Sequence, residues 1–421
     1  MLLERILSNE NLNLAFKRVK SNKGSHGIDG MSVEKLYEYL RENGKEVKEC
    51  ILGGRYKVQP VRRVEIPKAD GGIRLLGIPT VLDRMIQQAI YQVIEPIFDA
   101  TFSSNSYGFR KKKSAKEAVL KSREYIEKGY NWVVDIDLEK FFDRVNHDML
   151  MSRIARKIKD KRVLKLIRLY LESGVMINGV VFSTDEGTPQ GGNLSPLLAN
   201  IMLDDLDKEL EKRGHVFCRY ADDCNIYVSS RKSAERVMES ISLFIEKKLK
   251  LQVNKSKSAV DRPCKRKFLG FSFYIKDDGI GIRVHEKSVS KLMIKLKLYT
   301  GRSKSMSIEA RLESLSKSTI GWVNYFAIAD IKSKCQEIDG WLRRRIRMCI
   351  WKQWKKIRTR HNNLMKLGVK KSKALEWANT RKGYWRIANS HILSTTLTNN
   401  VIEKLGFISL TSRLNLVNSH F

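Results

Sequence analysis

The chain has 421 residues with 80 Lys plus Arg against 46 Asp plus Glu, a formal net charge of +34, and 42% hydrophobic and 9% aromatic content. That is enough apolar material for packed cores, which excludes a disordered chain, and the charge balance favours contact with a long polyanion. Six cysteines (Cys50, Cys218, Cys224, Cys264, Cys335, Cys349) without a CxxC pair indicate neither a zinc site nor a disulfide framework, and the absence of any apolar run of about 18 residues or a signal-like N-terminus predicts no membrane contact and a cytoplasmic setting.

Taken in chain order, the first signal is "NKGSHGIDG" (Asn22 to Gly30), a Gly-rich loop ahead of a helix starting near Ser32. "RRVEIPK" and "GGIRLLGIPT" then read as two strands joined at Asp70-Gly71-Gly72, and "DRMIQQAIYQVIEPIF" as an amphipathic helix ended by Pro96. "NWVVDIDL" has strong β-propensity, and its two-residue period sets Asp135 and Asp137 on one face. "NLSPLLANIMLDDLDKELEKRG" predicts a helix with Ser195 as N-cap, Pro196 at its first position and a stop at Gly214. In "VFCRYADDCNIYVSS" (Val216 to Ser230), alternation on both sides of a tight connection predicts a hairpin with Asp222 and Asp223 at its tip. Strands alternating with helices make the fold class α+β.

Composition changes near residue 264: all seven prolines lie between Pro60 and Pro263, and six of seven tryptophans follow Gly321. Residues 264–421 hold 33 Lys plus Arg and 10 Asp plus Glu. This part reads as helices, with a Val289, Leu292, Met293, Leu296 stripe, a second helix over 308–326 and a third from about Ser333 to Arg358 striped by Ile338, Leu342, Ile346 and Cys349. From Arg343 to Arg386 there are 16 basic residues and one acid, Glu376, interleaved with Trp351, Trp354, Trp377, Tyr384 and Trp385. Such a mixture suits phosphate neutralisation combined with stacking on bases.

Adjacent carboxylates on a constrained turn repel each other unless a cation lies between them. Mg²⁺ takes oxygen ligands and leaves positions for phosphates and water. A strand-borne aspartate beside the hairpin-borne pair can hold two Mg²⁺ ions roughly 3.5–4 Å apart, one activating a 3′-hydroxyl and both neutralising a leaving pyrophosphate. Asp135 competes with Asp137 for the strand position.

The ordered blocks carry a family resemblance over nearly the whole chain. "YADD" (Tyr220 to Asp223) resembles the Y-x-D-D box of reverse transcriptases, and "DLEKFFD" (Asp137 to Asp143) their D-x-x-x-[FYAC]-[FY]-D motif. "NKGSHGIDG", "IPKADGGIRLLGIPT", "SYGFR", "GTPQGGNLSPLLANI", "NKSKS" and "FLGFSF" fall in the right order, and together the set resembles a bacterial group II intron-encoded reverse transcriptase and maturase, most like the group IIC class.

The resemblance implies a right-hand polymerase: an N-terminal extension over 1–55, fingers and palm over 56–283, a helical thumb (the maturase domain) over 284–360 and a helical DNA-binding region over 361–421. It implies RNA-directed DNA polymerase activity with two Mg²⁺ ions held by Asp137, Asp222, Asp223 and the main chain at Leu138. Lys68 and Arg74 would clamp the dNTP triphosphate, Phe142 would act as a steric gate against a ribose 2′-hydroxyl, Gln190 would meet the nascent pair and Lys257 a phosphate. The partners implied are a group II intron RNA, an RNA template with a DNA or RNA primer, target DNA and dNTPs. No Cys/His-rich cluster follows the tail, so priming is expected to use an available 3′-end. The rival readings are a reverse transcriptase from a diversity-generating or CRISPR-associated system, and an RNA-binding splicing cofactor without polymerase activity.

Overall fold

Segments rich in β-branched and aromatic residues become ten strands among the described residues: β1 (Val61–Pro67), β2 (Ile73–Ile78), β3 (Trp132–Ile136), β4 (Val175–Ile177), β5 (Val180–Phe182), β6 (Val216–Tyr220), β7 (Asp223–Val228), β8 (Ala259–Asp261), β9 (Phe271–Lys276) and β10 (Gly279–Val284). The computed structural model describes residues 1–67, 71–177, 179–182, 186–188 and 191–419. They divide into two compact units, Met1–Arg262 and Pro263–Phe421. No helix among the described residues is long and apolar enough to cross a membrane.

In the first unit, β2-β1-β4-β5 make one sheet, with β1 antiparallel to β2 and parallel to β4. The second sheet, β6-β7-β3-β8, is antiparallel throughout. Its inward positions, Val134, Ile136, Phe217 and Ile226, are each at most 1% exposed. They belong to one apolar core with Ile86, Ile90 and Ile94 of the helix Val81–Asp99, Met202, Leu203 and Leu206 of Ser195–Lys212, and Ile241 of Arg231–Phe244.

Three expected helix ends move. Val81–Asp99 runs on through Pro96 instead of ending there, because a proline in the last turn forfeits only one ladder bond. Ser195 is the first helical residue rather than the cap, and Leu194 occupies the cap position. The third helix of the basic part covers Lys332–Gln353 and breaks at Trp354 (ψ 58°), whose carbonyl accepts from Arg360 Nε at 2.9 Å, before Ile357–Lys366 resumes. The 308–326 helix forms as Ile308–Phe326, capped by Ser307, which accepts from the Ala310 N–H at 3.2 Å.

In the second unit the hairpin β9–β10 precedes this helical array. The helix Leu410–Asn418 packs on both Ile308–Phe326 and Lys332–Gln353. Buried Asp339 accepts from the N–H groups of Leu410 (2.8 Å) and Thr411 (2.9 Å) and from the Thr411 hydroxyl (2.6 Å). These bonds satisfy orphan donors at that helix start. A helix of the segment expected as tail thus packs on two helices of the segment expected as thumb.

Candidate active site

The "YADD" segment folds as expected into a hairpin whose last rung pairs Tyr220 with Asp223, leaving Ala221 and Asp222 as a two-residue turn. Ala221 takes φ 57°, a left-handed conformation that costs on the order of 1 kcal/mol for a residue with a Cβ. Something must hold it there. Gly108 of "SYGFR" backs directly onto the turn: a Cβ at that position would lie 2.2 Å from the Ala221 nitrogen, so only glycine permits the approach.

Arg219 is the stronger anchor. Fully buried, it gives Nε and Nη2 to the two oxygens of equally buried Asp207 at 2.6 Å each, and Nη1 to the Ala221 carbonyl at 2.9 Å and to Asn200 Oδ1 at 3.0 Å. A further Nη2 bond reaches Ser106 Oγ at 2.8 Å. Burial alone pulls the Arg219 guanidinium down, and the Asp207 carboxylate more than reverses this, so the guanidinium stays charged. Asn200 closes the network by donating to the Gly108 carbonyl at 2.9 Å. None of Arg219, Asp207, Asn200 or Gly108 stood out in the sequence as a support of the site. The available signal was alternation, which puts Arg219 on the face of Phe217.

The second acid arrives on β3. Pairing of β3 with β7 ends at Ile136 opposite Cys224, so Asp137 follows on one chain and Asp223 precedes on the other at the same end of the sheet. Neighbouring strands lie about 4.8 Å apart and consecutive Cα atoms about 3.8 Å, which puts the Asp137 and Asp222 backbones within roughly 10 Å. Asp135 shares that face but sits inside the sheet between Asn225 and Ala259.

"NKSKS" is tied to the same strand end. The Asp137 N–H donates to Ser258 Oγ at 3.0 Å, and the Asn254 N–H donates to the Asp137 carbonyl at 2.8 Å. Within the loop, Asn254 Oδ1 accepts from the Ser256 N–H (3.2 Å) and hydroxyl (2.8 Å), a tight Asx turn. Lys257 Nζ thereby comes to 3.9 Å from Asp137 Oδ2. The bridge between Leu138 and Val253 is made through the neighbouring residues, with Glu139 N–H donating to the Gln252 carbonyl at 2.8 Å. That pattern leaves the Leu138 carbonyl on the β7 side of the strand, toward the acids.

Burial pushes the Asp222 carboxyl above the usual carboxylate range; its own backbone N–H, then Arg74, Arg219 and Lys257, pull it part of the way back. Arg74, opposite Ile66 on β2, is thus within electrostatic reach of the acids, as is Lys257. Among the described residues no three His, Cys, Asp or Glu side chains form a protein-only metal cage. Carboxylates gathered at one sheet end, one of them half-buried and pushed up by that burial, still fit Mg²⁺, which keeps water and substrate phosphate among its ligands.

Phe142 lies in the short turn Phe141–Asp143, half-buried, its ring centre 5.1 Å from that of Phe141. Its carbonyl accepts from the Thr188 N–H at 2.6 Å, which draws "GTPQGG" to the same place. A Cβ on Gly191 (φ 125°) would lie 2.7 Å from the Gly77 carbonyl of β2. Lys68 and Gln190 lie outside the described residues.

Residues 66–273 match the family described as "Reverse transcriptase (RNA-dependent DNA polymerase)", and 289–368 match "Group II intron, maturase-specific domain". The chain is 33% identical over 299 residues to protein YkfC of Escherichia coli (strain K12), covering 62% of this chain and 78% of that protein. The chain belongs to the group II intron reverse transcriptase and maturase family. Other members are more distant or longer. The group II intron-encoded protein LtrA of Lactococcus lactis subsp. cremoris is 30% identical over 339 residues, 63% of this chain and 55% of that protein. A COX1/OXI3 intron 2 protein of Saccharomyces cerevisiae is 29% identical over 365 residues, 83% of this chain and 40% of that protein. The chain thus spans about half the length of these two relatives. In family terms, Asp137, Asp222 and Asp223 with Arg74 and Lys257 fall inside the RNA-dependent DNA polymerase segment, and the chain from Val289 to Gly368 inside the maturase-specific one.

Proposed function

We propose that this member of the family extends a primer 3′-hydroxyl with dNTPs on an RNA template, and that as a maturase it binds its group II intron RNA for splicing and for copying at a DNA target. The observation that supports the polymerase reading is the β3–β7 register, whose last pair, Ile136 with Cys224, is flanked directly by Asp137 on one chain and by Asp223 and the half-buried Asp222 on the other. Asp137, Asp222, Asp223 and the Leu138 carbonyl would hold two Mg²⁺ ions. Such a pair, when bound, makes the attacking hydroxyl more acidic and neutralises the leaving pyrophosphate.

The chain's own residues supply position and charge. Lys257 and Arg74 would meet the triphosphate, Arg74 in bidentate fashion. Lys68 and Gln190, by the family motif, would join them at the triphosphate and the nascent pair. Phe142 would exclude a 2′-hydroxyl by bulk. Arg219 would keep the strained turn from relaxing, so that Asp222 is already aimed when substrate arrives. The maturase-specific segment 289–368 supports an intron setting over a diversity-generating or CRISPR-associated one.

Primer extension on an RNA template with dNTPs and Mg²⁺ tests this directly. Asp222→Asn should abolish extension while RNA affinity stays within a few fold; full extension by that variant sinks the site.

A further inference from the structure

The second unit carries an aromatic and cationic surface around Trp385. Arg345 of the helix Lys332–Gln353 lies 4.8 Å from the ring centre of Trp341 and 5.1 Å from that of Trp385, between two indoles. It is pinned there: Nε donates to Thr300 Oγ1 at 2.6 Å and Nη2 to the Thr300 carbonyl at 3.2 Å. Trp385 is therefore backed by a cation that is already committed. Yet the indole remains 37% exposed, whereas Trp351 on the same helix as Arg345 is 1% exposed.

The surrounding cations divide into two groups. Arg311 donates to the Lys304 carbonyl at 3.1 Å and Lys352 to the Arg302 carbonyl, so with Arg345 they hold the 300–304 loop. Arg302 and Arg344 do no such work. Arg344 lies 5.9 Å from the Trp385 ring and Arg302 5.9 Å from the adjacent Tyr384 ring. Among the described residues, neither side chain has a hydrogen bond to protein or a carboxylate partner, and both are exposed. An unpaired nucleobase has a free face to stack on an indole, and its strand brings phosphates for arginines; duplex bases are covered by one another.

We infer that Trp385 is a stacking platform for an unpaired base of single-stranded nucleic acid, with Arg302 and Arg344 neutralising phosphates of the same strand. The inference rests on the nucleic-acid-binding role proposed for this unit and adds the form it selects. The test is fluorescence anisotropy of the full chain with labelled dT20, rU20 and a 20-base-pair DNA duplex, without Mg²⁺ or dNTPs. Trp385→Leu should weaken single-strand binding about tenfold. Trp385→Phe, which keeps a ring face, should stay within about threefold of wild type, and duplex affinity should change by less than about twofold in both. The tighter of dT20 and rU20 identifies the strand. Equal effects of Leu and Phe, no effect of either, or a matching loss on duplex would overturn the platform. Extension by wild type and its loss in Asp222→Asn are read separately, so either conclusion can fail while the other stands.

Discussion

Asp222 illustrates how a functional carboxylate strains the fold that carries it. Its pKa is raised by burial, so the folded state holds the proton more tightly than the unfolded chain does. By linkage, its contribution to stability falls as pH rises from the ordinary aspartate range through the raised value, and the charged form is a liability at neutral pH. In metal-free buffer at pH 7.5, Asp222→Asn should therefore raise the melting temperature, by about 2 °C, while removing activity. A melting temperature that falls in EDTA would contradict the assigned direction. The same titration predicts that the Mg²⁺ concentration needed for extension climbs on acidification, starting at higher pH than for an ordinary aspartate. The steric gate proposed at Phe142 predicts that Phe142→Ala increases rNTP incorporation relative to dNTP, measured by misincorporation ratios, and an unchanged ratio would remove that role.

The β6–β7 hairpin cannot be understood without what lies under it. Its turn holds a left-handed alanine; the restraint comes from Arg219 of the hairpin's own first strand and from two other segments, the helix that carries Asp207 and Asn200 and the loop at Gly108. Asp207→Asn would leave a buried guanidinium without its carboxylate, which costs about 3–5 kcal/mol. The melting temperature of the first unit should drop by about 10 °C. Replacing the pair together, Asp207→Leu with Arg219→Met, should recover most of that stability, since buried pairs exchange well for apolar ones. Extension should stay low in the double variant, because the Ala221 carbonyl has still lost its donor. Recovery of both quantities would reduce the pair to a packing element.

At the scale of the molecule, charge is distributed as unevenly as chemistry: the aspartates and their cations lie within Met1–Arg262, while Pro263–Phe421 carries most of the excess of basic residues. RNA affinity should therefore fall on the order of 10³-fold between about 50 and 200 mM salt, and a flat plot of log K against log salt would contradict phosphate neutralisation. Much of this was legible before any fold was known. Period-2 alternation placed Asp222 and Asp223 at a hairpin tip, and the four-residue spacing of Ile338, Leu342 and Ile346 marked a helix face, because both are local consequences of backbone geometry. The helix ends expected at Pro96 and Arg358 lie elsewhere in the structure because a single residue's preference yields to the bonds around it. What only the tertiary structure decided are the contacts between segments distant in sequence: Arg219 with Ser106, Gly108 against Ala221, Asp137 beside the 254–258 loop, Asp339 at the start of Leu410–Asn418. Each joins residues whose own neighbourhoods contain no trace of the partner, since burial and pairing are properties of packed surfaces and no local pattern encodes which surfaces meet.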